Sequence, residues 1–303
     1  MAKKDQISIN YAYQKSVSFS QYSMYSSCQY QWYLAYVKKQ KIFKPGIHLL
    51  YGTSLHEALQ EFLRLMYDES IKAAEEMGLA EYFQSRMVEN YKNDLEQNKN
   101  EHYCTKEEFK EFIEDGFASL EWFKKHRSKY FSKKGTKLVG IEIPILQSIT
   151  EYSPNVLLQG YIDFILYNES DDSYTIYDIK TSTRGWSDKE KKDATKVNQI
   201  LFYKKFYSKA LEIPEDKIDV KFFIIKRKIY DKAEFAIPRV QEFAPANGKI
   251  KVKKAFESLE NFVKDCFTSD AKYNIDRVYE KNTSNCKWCQ FSDRSDLCDR
   301  SKS

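Results

Sequence analysis

Residues 156–180 read VLLQGYIDFILYNESDDSYTIYDIK, two apolar runs separated by the polar insert at 168–173. Runs rich in Ile, Leu, Phe and Tyr at this length predict strands, and a cluster of Asn, Ser and Asp predicts the turn between them. Together they predict a β-hairpin. With the turn centred between Ser170 and Asp171, Asp163 stands opposite Asp178. Directly opposed residues in an antiparallel pair have Cβ atoms about 5 Å apart, so two carboxylates would lie side by side within apolar strands. Burying such a pair costs several kcal/mol unless a proton or a cation neutralises it, which points to a hard divalent ion, Mg2+ or Mn2+. Lys180 follows Asp178 by two residues and therefore emerges on the same face of its strand. A purely structural alternative remains at this level, a cross-strand salt bridge between Asp163 and Lys180.

Outward from the hairpin, residues 138–147, 220–227 and 234–243 are further strand candidates, and a helix is predicted over 194–211. Gln199 and Tyr203 stand four apart on that helix and share one face. Upstream the pattern is helical: an aromatic helix opened by Ser20 and carrying Tyr22, Tyr25, Trp32 and Tyr36, then helices over 54–67, 71–98 and 105–131. Downstream, an amphipathic helix over 250–267 leads into a polar tail. Helices followed by a mostly antiparallel sheet with one crossing helix predict an α/β (α+β) fold with a mixed central sheet flanked by helices. The expected organisation is one compact unit of three regions, residues 1–135, 136–245 and 246–303.

Composition narrows the function classes. With 42% hydrophobic and 31% charged residues in a chain of 303, a real core is expected and disorder is not. No apolar run is long enough to cross a bilayer, and the start MAKKDQISINYAYQKS lacks the apolar core of a secretory signal, so a soluble cytoplasmic protein with no membrane partner is expected. In that reducing setting, six cysteines suggest metal ligation before disulfides. The net charge of +5 permits a polyanionic partner without requiring one. Lysines and arginines concentrate between Arg184 and Lys232, where a solvated helix face is the plain reading and nucleic-acid contact the functional one.

Three further stretches change the weight of the hairpin: Gly52-Thr53-Ser54-Leu55-His56-Glu57, Gly160-Tyr161-Ile162-Asp163, and Tyr177-Asp178-Ile179-Lys180 ahead of Gln199 and Tyr203. In this order they resemble the RecB-like branch of the PD-(D/E)XK nucleases, where a helix histidine precedes a Gly-x-x-Asp strand, an Asp/Glu-x-Lys strand and a Gln-x-x-x-Tyr helix. The resemblance implies a restriction-endonuclease-like core. It also implies that His56, Asp163, Asp178 and the Ile179 carbonyl hold the metal, that Lys180 orients the attacking water, and that Gln199 and Tyr203 position Lys180 or DNA. No proline precedes Asp163, and the second acid is Asp. Glu142, on the preceding strand candidate, reads first as an exposed strand residue, with a metal role as the alternative.

Cys286 and Cys289 form a C-x2-C knuckle, with Cys298 nine residues beyond. Three ligands need a fourth, and Cys28, Cys104 and Cys266 are the candidates. In the iron-sulfur subgroup of the RecB-like nucleases, which includes the bacterial AddB subunit and the CRISPR-associated RecB-like exonucleases, one N-terminal cysteine joins three C-terminal ones. That resemblance implies a [4Fe-4S] cluster on Cys28, Cys286, Cys289 and Cys298, stapling the tail, with a structural Zn2+ as the alternative. Cys104 and Cys266 then read as small core residues. The whole reading is a Mg/Mn-dependent DNA nuclease, expected to act as an exonuclease on single-stranded DNA or duplex ends in recombination, repair or phage DNA processing. The alternatives are a CRISPR spacer-processing nuclease with a protein partner and a non-catalytic Fe-S DNA-binding subunit.

Overall fold

The computed structural model describes residues 14–132, 134–230 and 237–299. Part of one predicted strand, residues 234–236, and Lys232 of the lysine-rich stretch lie outside these. In chain order the first elements are β1 (Lys15–Val17), α1 (Phe19–Ser27), α2 (Gln29–Trp32), α3 (Ile47–Arg64), α4 (Ile71–Glu76), α5 (Leu79–Gln97) and α6 (Lys106–His126). Strands β2 (Thr136–Ser148), β3 (Val156–Asn168) and β4 (Ser173–Ser182) follow, then α7 (Asp188–Lys192), α8 (Ala194–Leu211), β5 (Ile218–Lys226), β6 (Val240–Phe243) and α9 (Lys249–Cys266). Two compact units result: one takes in the chain up to Ile42, Pro144–Gly160 and the chain from Lys253, the other Phe43–Ile143 and Tyr161–Val252. Each of the three stretches told apart by sequence pattern is cut by these units.

In the second unit, β3 and β4 form the predicted hairpin in the predicted register, paired from Asn168↔Ser173 to Phe164↔Tyr177. The Phe164 and Tyr177 rings stack across the strands at 4.6 Å, a cross-strand contact that pins the register against slippage. Helix α8 crosses over so that β5 lies parallel to β4, and β6 closes antiparallel on β5. The sheet is therefore mixed rather than mostly antiparallel, because a helix of this length inserted between two strands returns the chain in the same direction.

Local chemistry explains the helices around it. Thr105 caps α6 by accepting from the Glu108 N–H, acids occupy its first turn, and Lys124, Lys125 and His126 occupy its last, as the helix dipole favours. The predicted helix over 71–98 is split, since Gly78 adopts a left-handed φ of 63° that ends α4 and starts α5. The core gathers Leu55, Leu59, Phe62, Phe83 and Phe123 from the helices with Phe164, Tyr177 and Phe223 from the sheet. Helix α3 approaches β4 closely where Gly52 lies: a Cβ there would stand 3.0 Å from Thr181 Oγ1.

In the first unit, β1 pairs parallel with Val156–Leu158 at the start of β3, a short strand that the sequence pattern did not reveal. The predicted aromatic helix is broken at Cys28, whose backbone is extended at φ −160° and ψ 112°. Tyr22, Tyr25 and Trp32 are core residues and Tyr36 is half-buried: Trp32 is fully buried and packs edge-on against Phe262 and Phe267, and Tyr25 donates to Asp265 at 2.6 Å. No helix among the described residues is long and apolar enough to cross a membrane.

Candidate active site and cysteine pocket

The hairpin ladder stops at Phe164↔Tyr177, one rung short of Asp163 and Asp178. At the next rung the Asp163 carboxylate replaces backbone pairing: its Oδ2 accepts the Ile179 N–H at 2.6 Å. Asp178 is 1% exposed, and its Oδ2 stands 2.7 Å from the Lys180 ammonium. Burial pushes the Asp178 carboxyl up to about 6, with the Asp163 charge adding to the rise and Lys180 opposing it. Burial likewise lifts Asp163 to about 6 against the pull of Lys180 and of the Ile179 N–H. For Lys180, burial works against the charge, but the Asp178 and Asp163 carboxylates outweigh it and hold the ammonium above its ordinary value.

Lys180 is fixed from the other side by α8. Its Nζ donates to Gln199 Oε1 at 3.0 Å, and Gln199 Nε2 donates to Tyr203 OH at 3.0 Å. The spacing of four residues on one helix thus yields a relay that sets the amide orientation and hence the ammonium position. His56 projects from α3 with Nδ1 3.6 Å from Asp163 Oδ2. Burial first, then the Lys180 charge, pushes its pKa down to about 4, so the imidazole is neutral at neutral pH and keeps a lone pair for a ligand.

All the residues predicted for this site, His56, Asp163, Asp178, Ile179, Lys180, Gln199 and Tyr203, are brought into one neighbourhood. Two neighbours join it: Glu142, for which a metal role was the alternative reading, and Gln60, which was not read as part of the site. Gln60, one turn beyond His56 and 6% exposed, donates from Nε2 to Glu142 Oε1 at 2.5 Å and toward the Asp163 carbonyl at 3.4 Å. Among the described residues no three His, Cys, Asp or Glu side chains form a ligand set around one point. Lys180 and the Ile179 N–H occupy part of the carboxylate capacity instead. The donor chemistry nonetheless suits a hard dication: buried carboxylates, a neutral imidazole, and Asp178 Oδ2, which has an ion contact but no well-formed hydrogen bond.

The PD-(D/E)XK nuclease superfamily profile matches residues 16–294. The chain belongs to the PD-(D/E)XK nuclease superfamily. Its members are nucleases that generally use divalent metals such as Mg2+. No curated protein matches the chain.

In the first unit, a small pocket of about 20 Å³ is bordered by Cys28, Cys286, Cys289 and Cys298 together with Tyr30, Leu34 and Phe291. None of the six cysteines is in a disulfide. The extended backbone at Cys28 is what lets the thiol leave the helical path. Two thiols already receive N–H groups, Cys28 Sγ from Asn282 and Cys289 Sγ from Phe291, each at 3.4 Å. Burial pushes the Cys289 thiol up, and the other three cysteines, close beside it, add to the rise. The tail is tied to the Cys28 segment by Asn282 and Asn285 side chains donating to the Ser27 carbonyl and by the Tyr30 N–H donating to the Glu280 carbonyl. Of the other two cysteines, Cys266 is fully buried and Cys104 is half-buried.

The lysine-rich stretch is largely engaged internally. Lys191 pairs with Asp188, Lys196 with Glu190, Lys205 with Glu215, and Arg227 and Lys228 with Asp115. Lys204 is buried and donates to the Asn247 carbonyl and side chain. Lys191 and Lys192, joined by Lys251, still line a groove of about 410 Å³ with Val197, Phe243 and Pro245.

Proposed function

We propose that the protein is a RecB-like, metal-dependent deoxyribonuclease that hydrolyses phosphodiester bonds, acting as an exonuclease on single-stranded DNA or duplex ends. The observation that carries this reading is the buried Asp178–Lys180 pair beside Asp163, with Lys180 fixed by Gln199. A purely structural ion pair would not need a second carboxylate on the facing strand, nor an imidazole held neutral beside it. His56, Asp163, Asp178 and the Ile179 carbonyl would hold the cation. When bound, it supplies a water of lowered pKa and positive charge against the phosphate. The chain's own groups do the rest. The Ile179 N–H fixes the Asp163 carboxylate, Gln199 and Tyr203 fix Lys180, and the Lys180 ammonium orients the attacking water and offsets negative charge gathering on the phosphate.

The four cysteines support a structural metal centre that ties Cys28 to the tail. Closing a loop of more than 250 residues removes a large unfolded-state entropy. The resemblance favours a [4Fe-4S] cluster, with a structural Zn2+ as the alternative.

End-labelled single-stranded, duplex and circular DNA incubated with the protein, with and without Mn2+, tests the function. Mn2+-dependent release of short products from linear DNA, with circles spared, is expected. Cleaved circles would replace the exonuclease by an endonuclease, and no cleavage of any substrate would remove the proposal. Iron and zinc analysis of anaerobically purified protein separates the two cysteine readings.

A further inference from the structure

The tyrosines of the β3–β4 hairpin fare differently at its two ends. Near the turn, Tyr167 and Tyr174 face each other across the ladder with ring centroids 4.9 Å apart. At the other end Tyr161 is 51% exposed, and among the described residues its side chain has no ring contact, hydrogen bond or ion pair. The ladder explains the difference. Pairing between β3 and β4 ends at Phe164↔Tyr177, while β4 stays on β5 as far as Ser182↔Lys226, so the two strands of the hairpin part while both continue. Three positions past the last rung stand Tyr161 and Lys180, which an unbroken ladder would set opposite each other. Lys180 points its ammonium at Asp178 and Gln199 instead.

Alternation along β3 fixes where that ring lies. Ile162 and Phe164 are fully buried, whereas Tyr161 and Asp163 share the opposite, more open face. Residues two apart on one face are separated by about 7 Å, the reach of one nucleotide in an extended strand. A phosphate held at Asp163, Asp178 and Lys180 therefore brings the neighbouring nucleoside alongside residue 161. An aromatic face open to solvent there can stack on any base, but only on a base that has left its own stack. We propose that Tyr161 is a base-stacking residue that seats an unpaired nucleotide next to the scissile phosphate, so that the site takes single strands or frayed duplex ends and turns away intact duplex. A tyrosine placed only for strand propensity gains most by laying its ring against a cross-strand side chain, as Tyr167 does, whereas the Tyr161 ring stays half in solvent.

This role rests on the nuclease reading above, and binding and cleavage are measured apart so that the two fail separately. In fluorescence anisotropy with a labelled oligothymidylate in Ca2+, Tyr161→Ala should bind about 5- to 100-fold more weakly and Tyr161→Phe within about twofold of the unaltered protein, because the ring and not the hydroxyl stacks. Moving a single abasic position along the oligonucleotide gives a readout that a merely structural residue would not move: the unaltered protein should lose affinity at one position, and Tyr161→Ala should lose nothing further there. A hairpin-capped duplex should bind both proteins alike, and an equal loss on it overturns the preference for unpaired bases. Unchanged oligothymidylate affinity in Tyr161→Ala, or an abasic penalty that persists in it, overturns the stacking role and leaves the nuclease reading standing. The expected losses without Mn2+-dependent cleavage remove the nuclease reading and keep Tyr161 as a stacking residue. Absence of oligothymidylate binding by the unaltered protein removes both. If circular dichroism shows Tyr161→Ala unfolded, Tyr161→Leu, which keeps apolar bulk without an aromatic face, decides on the same abasic series.

Discussion

The carboxylate site and the cysteine pocket are built by opposite strategies. The first is assembled by the short-range geometry of one hairpin and one helix: Asp163, Asp178 and Lys180 lie within 18 residues, and Gln199 and Tyr203 meet them through a helical spacing. The second joins Cys28 to Cys286, Cys289 and Cys298 across most of the chain. Both crowd like charges or donors that ask for a cation. In the hairpin, Lys180 already supplies part of the positive charge, so the site can persist with its acids partly protonated. The pocket instead draws its sulfurs from two segments more than 250 residues apart.

That contrast can be broken by exchanging damage between the sites. Asp178→Asn or Lys180→Ala should lower cleavage by at least about 10²-fold, as removal of one electrostatic stabiliser does elsewhere, with melting nearly unchanged. Cys28→Ser should act the other way round: the metal content of the purified protein falls, and Tm drops by at least about 5 °C, consistent with loss of a few kcal/mol of cross-linking. Equal loss of Tm in Lys180→Ala and Cys28→Ser would erase the distinction between a chemical site and a structural one.

A smaller effect sharpens the electrostatics. Because Asp163 and Asp178 titrate at about 6, Mn2+ affinity should rise as pH goes from about 5 to about 7 and level off above, since the ion competes with protons for both acids. His56, pushed down to about 4, is already neutral there and adds little to the slope. Without metal the same carboxylates act on stability in the reverse sense. Between about pH 4 and 6 the folded chain keeps protons that the unfolded chain has shed, so these two groups lose stability as pH rises, while His56 gains it over the same interval. Thermal melts of wild type and Asp178→Asn across that range check the sign: the variant should fall less steeply. A flat Mn2+ affinity across pH 5–7 would mean that neither acid meets the ion.

Much of the hairpin was legible in sequence because two apolar runs, a six-residue polar insert and two acids fix a register with few rivals. Gln199 and Tyr203 were legible for the same reason at a helical period. Glu142 reads as an exposed strand residue and is exposed on β2, but its left-handed φ of 49° has no glycine to announce it. Gln60 was not legible. Gln60 lies on the buried side of an amphipathic helix, where a polar residue declares itself only when its partner from a distant strand is known. Cys28 shows a third kind of limit. The aromatic spacing on either side of it predicts one continuous helix, and the extended residue that interrupts it reflects tertiary contacts with the tail.

Gly52 gives the site a dial. Helix α3 rests against β4 with no side chain between Gly52 and Thr181, and the same helix carries His56 and Gln60 one and two turns further on. A methyl group at that spot would serve as a shim, lifting the rod by tenths of an ångström and, with it, both the imidazole and the amide that bear on the acids. The placement of both groups is thereby adjustable from a position with no charge and no polar side chain.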